Sequence, residues 1–250
     1  MVPGDEDSLS WTEPLPVWRV QEDAGNQLGR DAWPATLAPV RQVLEEGLDL
    51  GRATILVGEN GSGQSTLIEG IAMAYGLSAE GGNSGARHST YASESGLSES
   101  LQLVRGLGTT RWGYFLRAET MHGLFTYLTS SSPSDGRFHR LSHGESFLAM
   151  LGDDSRFSDG GFIVMDEPEA GLSFTAQLTL LGRLSWLAEQ PRGQVLIATH
   201  SPVVAALPGA RLLELDESGI HQTDWESLAA VDHYRRFMGA PQSYLRHLFG

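Results

Sequence analysis

The sequence predicts an α/β fold in which helices cover a mostly parallel sheet. Short apolar runs of the strand type alternate with segments of helical periodicity, and this alternation is typical of parallel sheets. A glycine-rich turn joins one apolar run directly to a helix, and another apolar run ends in two adjacent carboxylates. Both features place polar groups at the carboxyl ends of strands, which is where α/β proteins build their sites.

Apolar periodicity and turn residues predict the individual elements. Strands are expected at residues 17–20, 54–57, 112–117, 161–165 and 195–198, with a hairpin at 211–223. Helices are expected at residues 37–48, 65–75, 97–107, 144–151, 172–189 and 225–249, the last broken at 239–241. Loops are expected in the Gly/Ser-rich stretch 79–100 and at 129–140.

The chain is long enough for one large α/β domain with a sizeable core. Residues 1–14 are predicted to be a mobile leader and residues 15–250 a single domain, with a helical subdomain at roughly 97–152. The sequence has no apolar run of about 18 residues, so no membrane insertion is expected. The acidic N-terminus lacks a signal-peptide pattern and the chain has no cysteine, which together predict a cytoplasmic location.

The net charge of the chain bears on whether it binds nucleic acid. The 17 basic and 31 acidic residues give a net charge of −14. Such an acidic chain is not drawn to nucleic acid by its overall field, so a nucleic-acid partner is disfavoured. All 17 basic residues are arginine, and lysine does not occur.

The glycine-rich turn predicts a phosphate-binding loop. Residues 58–66 read Gly-Glu-Asn-Gly-Ser-Gly-Gln-Ser-Thr and match the pattern G-x-x-x-x-G-K-[ST] everywhere except at Gln64. Glycines let successive N–H groups face a phosphate, and the following helix directs its positive N-terminus at the same anion. The expected nucleotide-binding residues are Asn60, Gly61, Ser62, Gly63, Gln64, Ser65 and Thr66.

Gln64 stands where the pattern has a lysine, which normally reaches the β- and γ-phosphates. The glutamine amide can donate hydrogen bonds but cannot offset phosphate charge. We therefore expect the chain to bind Mg-ATP more weakly and to hydrolyse it slowly. The Ser65 hydroxyl is expected to bind Mg²⁺.

Two further motifs supply candidate catalytic groups. The apolar strand Gly-Phe-Ile-Val-Met ends in Asp166 and Glu167, which are placed to hold Mg²⁺ and to polarise the attacking water, respectively. The next strand ends in Ala198-Thr199-His200-Ser201-Pro202, and His200 is a second candidate catalytic residue.

With these motifs in order, the chain resembles small bacterial ATPases of the ATP-binding-cassette superfamily that lack coiled coils and transmembrane domains. The matching stretches are 57–63, 115–119, 142–148, 165–170, 197–202 and 244–248, within a resemblance that covers roughly residues 15–249. It implies a P-loop NTPase fold of the ATP-binding-cassette type, with ATP and Mg²⁺ as ligands. Where this family has a lysine, the chain has Gln64.

The resemblance also implies roles for individual residues. The stretch Ser142, His143, Gly144 and Glu145 resembles the signature motif, which binds the nucleotide held by the other protomer of an ATP-dependent head-to-tail homodimer. His200 resembles the switch histidine that contacts the γ-phosphate, and residues 169–173 occupy the position of the loop that crosses the dimer interface. Glu119 is either a residue near the metal or an ordinary surface carboxylate.

Several alternatives stay open at this point. The ATPase drives an unidentified protein partner, or it is the energising subunit of a transporter, or it is a DNA-maintenance ATPase. The third is disfavoured because the roughly 78 residues between Gly63 and Leu141 contain no heptads for a lever arm. Trp18 and Trp33 are both candidates for contact with adenine.

Overall fold

The computed structural model describes residues 14–79, 81–83, 96–117 and 143–249. The strands are β1 Arg19–Glu22, β2 Leu48–Asp49, β3 Ala53–Gly58, β4 Gly82–Asn83, β5 Leu101–Val104, β6 Gly113–Arg117, β7 Gly161–Asp166, β8 Gly193–Thr199, β9 Arg211–Asp216 and β10 Gly219–Gln222. The α-helices are α1 Ala38–Glu46, α2 Gln64–Tyr75, α3 His143–Leu151, α4 Asp154–Phe157, α5 Phe174–Glu189, α6 Ala229–Gly239 and α7 Pro241–Phe249. Short 3₁₀ helices lie at Leu97–Ser100, Val204–Ala206 and Trp225–Ser227.

The main sheet has seven strands in the order β10-β9-β3-β8-β7-β6-β4. The five central strands, β9, β3, β8, β7 and β6, pair in parallel, and the two edge strands pair antiparallel. Parallel neighbours bring the carboxyl ends of β3, β8 and β7 together at one edge. The predicted α/β fold, with helices that cover a mostly parallel sheet, is confirmed.

The core lies on both faces of this sheet, because successive side chains of a strand point to opposite sides. In β3, Ile55 and Val57 join one buried cluster, whereas Leu56 joins the other. The first cluster is closed by Leu180 and Leu184 of α5, and the second is closed by residues of α2. Helices on both faces explain why the central strands read as continuous apolar runs.

A second sheet, with strand order β2-β1-β5, is antiparallel and contains the first strand of the chain. Gln194 of β8 connects the segment before β1 to the main sheet. Its Oε1 accepts a hydrogen bond from Val17 N at 2.8 Å, and its Nε2 donates to the carbonyls of Val17 and Gly51. The buried amide therefore satisfies the backbone where the two sheets meet.

One predicted helix is wrong. Residues 97–107 form a 3₁₀ turn followed by strand β5, not a helix. The strand pairs with β1 over four residues, for example Val20 with Leu103. This long-range pairing overrides a local apolar spacing that also fits a helix. The predicted loop 79–100 likewise contains the short strand β4 and that 3₁₀ turn.

Other predicted elements are confirmed, with ends shifted by a few residues. The break at 239–241 separates α6 from α7, and the hairpin turns between β9 and β10. Among the described residues, no helix is long and apolar enough to cross a membrane. The predicted leader, except Pro14, and the predicted loop 129–140 lie outside the described residues, as does much of the predicted subdomain at 97–152.

Candidate functional site

Three of the motifs predicted from the sequence, the glycine turn, the carboxylate pair and the turn with His200, meet at the carboxyl edge of β3, β8 and β7. β3 runs into the glycine turn, β7 ends at Asp166 and β8 ends at Thr199. A cavity of about 280 Å³ lies at this edge. Its walls come from the turn, from the start of α2, from the ends of β7 and β8, and from two apolar residues: Glu59, Asn60, Gly61, Ser62, Gly63, Gln64, Ser65, Thr66, Glu167, His200, Trp33 and Leu37.

The glycine turn needs its glycines for two separate reasons. Gly61 and Gly63 have φ of 88° and 89°, a left-handed conformation that side chains with a Cβ rarely adopt. A Cβ on Gly58 would lie 2.5 Å from Ser62 Oγ and 2.8 Å from the carbonyl oxygen of Leu215. Gly61 and Gly63 therefore fix the shape of the turn, and Gly58 lets the turn pack closely on β9.

The glycine turn has backbone hydrogen-bond donors available at the cavity wall. Ser62 N donates to Glu59 O at 3.0 Å, which closes the turn. Among the described residues, the N–H groups of Gly61 and Gly63 have no acceptor. The first N–H groups of α2 lie within the first helical turn and lack intrahelical partners as well. Such a group of donors at a helix N-terminus suits a phosphate.

Gln64 belongs to the cavity wall, but its side-chain amide bonds beneath the turn. Its side chain is buried, and Nε2 donates to the carbonyl of Leu56 at 2.6 Å and to that of Thr199 at 3.2 Å. Both amide hydrogens are therefore used beneath the turn, between β3 and β8. In this conformation the side chain of Gln64 offers a phosphate no donor, whereas its backbone N–H keeps its place in the first turn of α2.

Ser65 and Asp166 form a pair of oxygen ligands. Ser65 Oγ donates to Asp166 Oδ1 at 3.2 Å, and Asp166 is only 5% exposed. The other oxygen, Oδ2, lies 3.4 Å from Arg117 Nε, and Arg117 also donates to Glu69 Oε2 of α2 at 2.6 Å. Hydroxyl and carboxylate oxygens are the ligand types that Mg²⁺ prefers, so these two residues fit that ion.

Glu167 and His200 face each other across the ends of β7 and β8. His200 Nε2 lies 3.3 Å from Glu167 Oε1, and both side chains are partly exposed. Glu167 has φ of 51°, the one non-glycine residue with positive φ in the described part of the chain. This conformation is strained for a residue with a Cβ, and such strain concentrates at functional sites.

The loop after β7 is connected to the turn after β8 by side chains. Glu169 Oε1 accepts hydrogen bonds from the N–H groups of His200 and Ser201, at 2.9 and 3.1 Å. Gln177 of α5 accepts from Ser201 Oγ at 2.6 Å and donates to the carbonyl of Leu172 at 3.2 Å. The segment that carries Glu167 and the turn that carries His200 are thus held in one arrangement.

Apolar side chains close the cavity opposite the strand ends. Trp33 is 53% exposed although it lines the cavity, and Leu37 lies beside the turn. A Cβ on Gly63 would lie 3.0 Å from Leu37 Cδ1, so Leu37 packs directly on the turn. Of the two tryptophans that the sequence left as candidates for adenine, the structure places Trp33 at the cavity wall.

Five further residues were predicted to belong to the site: Glu119, Ser142, His143, Gly144 and Glu145. Glu119 and Ser142 lie outside the described residues, and His143 is described only as the first residue of α3. Gly144 and Glu145 lie on α3 and are not part of the cavity wall. A Cβ on Gly144 would lie 2.7 Å from Leu172 Cδ2, so α3 packs closely on the loop after β7.

For three residues, the structure shows contacts at the site that the sequence did not predict. Arg117 contacts Asp166, a predicted metal ligand, because the two residues are register partners in the parallel pair β6–β7. Glu169 and Gln177 act on the turn that carries His200. Only Glu169 had a sequence signal, since it follows the carboxylate pair closely and lies on a loop.

Residues 137–206 match the family described as "AAA domain, putative AbiEii toxin, Type IV TA system". The matched stretch contains the carboxylate pair at the end of β7 and the histidine that follows β8. No curated protein sequence matches the chain.

Similar solved structures include the head domain of an SMC protein from Thermotoga maritima, with 15% identity over 71% of this chain and 93% of that chain and a TM-score of 0.42. Another is described as an inward-facing conformation of "a putative metal-chelate type ABC transporter", with 18% identity over 75% of this chain and 80% of that chain and a TM-score of 0.43. A third is a dimeric bacterial ABC transporter cassette, with 15% identity over 70% of this chain and 87% of that chain and a TM-score of 0.38.

Proposed function

We propose that this chain binds Mg-ATP in the cavity at the carboxyl edge of β3, β8 and β7, and hydrolyses it slowly to ADP and phosphate. One observation carries the proposal. The glycine turn, Ser65, Glu167 and His200 line one cavity of about 280 Å³, and Asp166 lies directly behind it, in contact with Ser65 Oγ at 3.2 Å. Phosphoryl transfer to water requires hydrogen-bond donors that bind the phosphates, a metal site and a residue that orients the water.

Each group has a role in this proposal. The N–H groups of the turn and of the α2 N-terminus bind the β- and γ-phosphates. Ser65 and Asp166 would hold Mg²⁺, which neutralises charge on the phosphates when bound. Glu167 orients and polarises the attacking water. His200, whose Nε2 lies 3.3 Å from Glu167 Oε1, contacts the γ-phosphate. Trp33 packs against the adenine base of the nucleotide.

Slow hydrolysis follows from Gln64. The charge that a lysine would bring to the phosphates is missing, and the two amide hydrogens of Gln64 are bound to strand carbonyls. The chain has no lysine, and among the described residues the arginine nearest to the metal carboxylate, Arg117, is already bound to Glu69. Loss of one stabilising group in the transition state typically lowers the rate by about 100- to 1000-fold.

We further propose that two copies close head to tail around two nucleotides. The support is the position of Gly144 and Glu145 on α3, outside the wall of their own cavity. The N-terminus of α3 would then face the γ-phosphate held by the other copy, as the resemblance of residues 142–145 to a signature motif implies. Head-to-tail closure gives each cavity a second set of phosphate donors.

The direct test is equilibrium binding of ATP by calorimetry in the presence and absence of Mg²⁺, with phosphate release measured in parallel. We expect binding that strengthens with Mg²⁺ and slow release of phosphate. Asp166→Asn is expected to remove the Mg²⁺ dependence, whereas the matched change Asp224→Asn, at an exposed carboxylate before a 3₁₀ turn, leaves it intact. If the wild-type chain binds no ATP at millimolar concentration, the proposal is wrong.

A further inference from the structure

Glu169 contacts the turn of His200 through a single oxygen. Its Oε1 accepts from His200 N at 2.9 Å and from Ser201 N at 3.1 Å, and these two donors are consecutive in the chain. Two consecutive N–H groups that converge on one oxygen form a small anion-binding turn. Hydrogen bonds to a charged acceptor are stronger than those to a neutral one, so this contact fixes the backbone from which the imidazole of His200 projects.

The same loop fixes Glu167 from the other side. Glu167 N donates to Ala198 O of β8 at 2.9 Å, and Ala170 N donates to Glu167 O at 3.0 Å. Glu167 is therefore held between β8 and the residue that follows Glu169, in its strained conformation with φ of 51°. The distance of 3.3 Å between Glu167 Oε1 and His200 Nε2 is set by these backbone bonds on one side and by Glu169 on the other.

A second side chain secures the turn independently of Glu169. Ser201 Oγ donates to Gln177 Oε1 at 2.6 Å and accepts from the N–H groups of Val203 and Val204. These bonds hold the turn in place at Ser201 and beyond it. Within the described part of the chain, the side chain that binds the backbone N–H of His200 is that of Glu169. Removal of Glu169 would therefore free the peptide of His200 while the rest of the turn stays anchored.

We propose that Glu169 is a positioning residue that holds His200 against Glu167, so that its loss impairs hydrolysis and spares nucleotide binding. This inference rests on the proposed function, because it assigns a role to Glu169 within the same site. Glu169 is not among the residues that line the cavity proposed to hold the nucleotide. Its effect on the reaction passes through the backbone of His200.

The test is a double-mutant cycle with Glu169→Ala and His200→Ala. Hydrolysis is measured as single-turnover release of phosphate with protein in excess, and ATP affinity is measured by calorimetry. We expect Glu169→Ala to lower the hydrolysis rate by about 10- to 100-fold, the range expected for a displaced catalytic group. The dissociation constant for Mg-ATP should change by less than about 2-fold.

The cycle separates positioning from an independent effect. If Glu169 acts through His200, its removal in the His200→Ala background has no further effect on the rate. Glu169→Gln keeps one oxygen that accepts both N–H groups and should restore most of the rate, while Glu217→Ala, at an exposed carboxylate on the β9–β10 turn, should leave the rate unchanged. Additive losses in the double variant, or a wild-type rate for Glu169→Ala, overturn the proposal.

A readout that needs no turnover completes the test. In a long-range ¹H–¹⁵N spectrum, the imidazole resonance of His200, assigned by its loss in His200→Ala, should move in Glu169→Ala and stay in place in Glu169→Gln. An unmoved resonance in Glu169→Ala contradicts the positioning role even if hydrolysis is slow. Failure of the wild-type chain to bind ATP refutes the proposed function instead, so the two failures are distinct.

Discussion

The side-chain nitrogen of Gln64 lies 2.6 Å from the carbonyl oxygen of Leu56, in the strand that leads into the glycine turn. The same nitrogen lies 3.2 Å from the carbonyl oxygen of Thr199, at the end of β8. Gln64 thus connects β3 and β8 beneath the turn, and the position that usually carries the phosphate-binding cation carries an interstrand hydrogen bond. If the turn binds phosphate as proposed, its backbone N–H groups do so without the positive charge of a lysine at position 64.

Gln64→Lys is expected to raise the hydrolysis rate by about 100- to 1000-fold, because it returns a positive charge to the transition state. The lysine nitrogen lies one bond further from the backbone than the glutamine amide nitrogen and carries three donors, so it can reach the phosphates. Steady-state phosphate release of the two chains, at saturating Mg-ATP, checks this expectation.

The matched control for that change is Gln64→Met, which keeps the length of the side chain and removes the amide. It is expected to lower the free energy of unfolding by about 1–3 kcal/mol, since two hydrogen bonds in a buried place are lost, without any gain in hydrolysis. Equal rates for Gln64→Lys and the wild-type chain would show that the missing charge is not what limits hydrolysis.

Trp33→Ala is expected to weaken ATP binding by about 5- to 150-fold, which corresponds to a stacking contribution of about 1–3 kcal/mol. Trp33 is 53% exposed at the cavity wall, so it has surface available for a base. Trp33→Phe keeps an aromatic ring and should retain part of the affinity, and nucleotide should quench tryptophan emission in the wild-type chain but not in Trp33→Phe.

Phe174→Ala serves as the control for this prediction. Phe174 is an aromatic residue of similar exposure, 65%, at the start of α5 and outside the cavity wall. Its removal should leave ATP affinity unchanged. Quenching that persists in Trp33→Phe would assign the base to another part of the site.

Glu167→Gln is expected to trap ATP and to make the proposed dimer stable enough to detect. The change removes the carboxylate that polarises water but keeps the side-chain shape, so ATP binds without being consumed. Sedimentation velocity should show a species of 27.1 kDa without ATP and a species of about twice that mass with Mg-ATP.

The interface is tested on the same background with two arginine substitutions. Ser142→Arg introduces a bulky cation into the stretch expected to face the partner's nucleotide and should abolish the ATP-dependent dimer. Ser227→Arg, at an exposed serine in the 3₁₀ turn before α6, should not. A monomer in Glu167→Gln with saturating Mg-ATP would contradict head-to-tail closure.

The central part of the site was predictable from the sequence because its signals are local. A buried strand followed by a glycine turn, or by Asp166 and Glu167, places those residues at the edge of the sheet whatever the strand order. The contacts among the motifs were not predictable in this way. The approach of Arg117 to Asp166 depends on the register of β6 and β7, and the contact of Glu169 with His200 joins residues from two different strand ends.

The side-chain orientation of Gln64 likewise could not be predicted from local sequence signals. The motif predicts where its backbone lies, but the direction of its side chain depends on which carbonyls of β3 and β8 remain within reach. Strand β5 is a second case, since the residues Leu-Gln-Leu-Val fit a helix or a strand locally and become a strand only by pairing with β1. Non-local pairing decides both outcomes.

The ion pair of Glu22 and Arg30 predicts a pH-dependent contribution to stability. Arg30 donates to both oxygens of Glu22, at 2.6 and 2.9 Å, and this hydrogen bonding lowers the pKa of Glu22, with a further contribution from Leu28 N. A carboxyl group with a lowered pKa in the folded state stabilises the protein fully above its unfolded pKa of about 4.3. The contribution is lost as pH falls through the lower, folded-state value.

Glu22→Gln should therefore lower the free energy of unfolding by on the order of 1 kcal/mol at pH 7 and by progressively less below about pH 4. Urea denaturation at pH 7 and pH 3 measures both differences. The control is Glu45→Gln, because Glu45 lies 3.7 Å from Arg30 Nε and is 52% exposed, so its removal should have little effect. Since Glu22 and Arg30 hold the start of the segment that leads to Trp33, Glu22→Gln is also expected to bind ATP more weakly. If Glu22→Gln lowered the free energy of unfolding equally at pH 7 and pH 3, the ionised pair would not be the source of the lost stability.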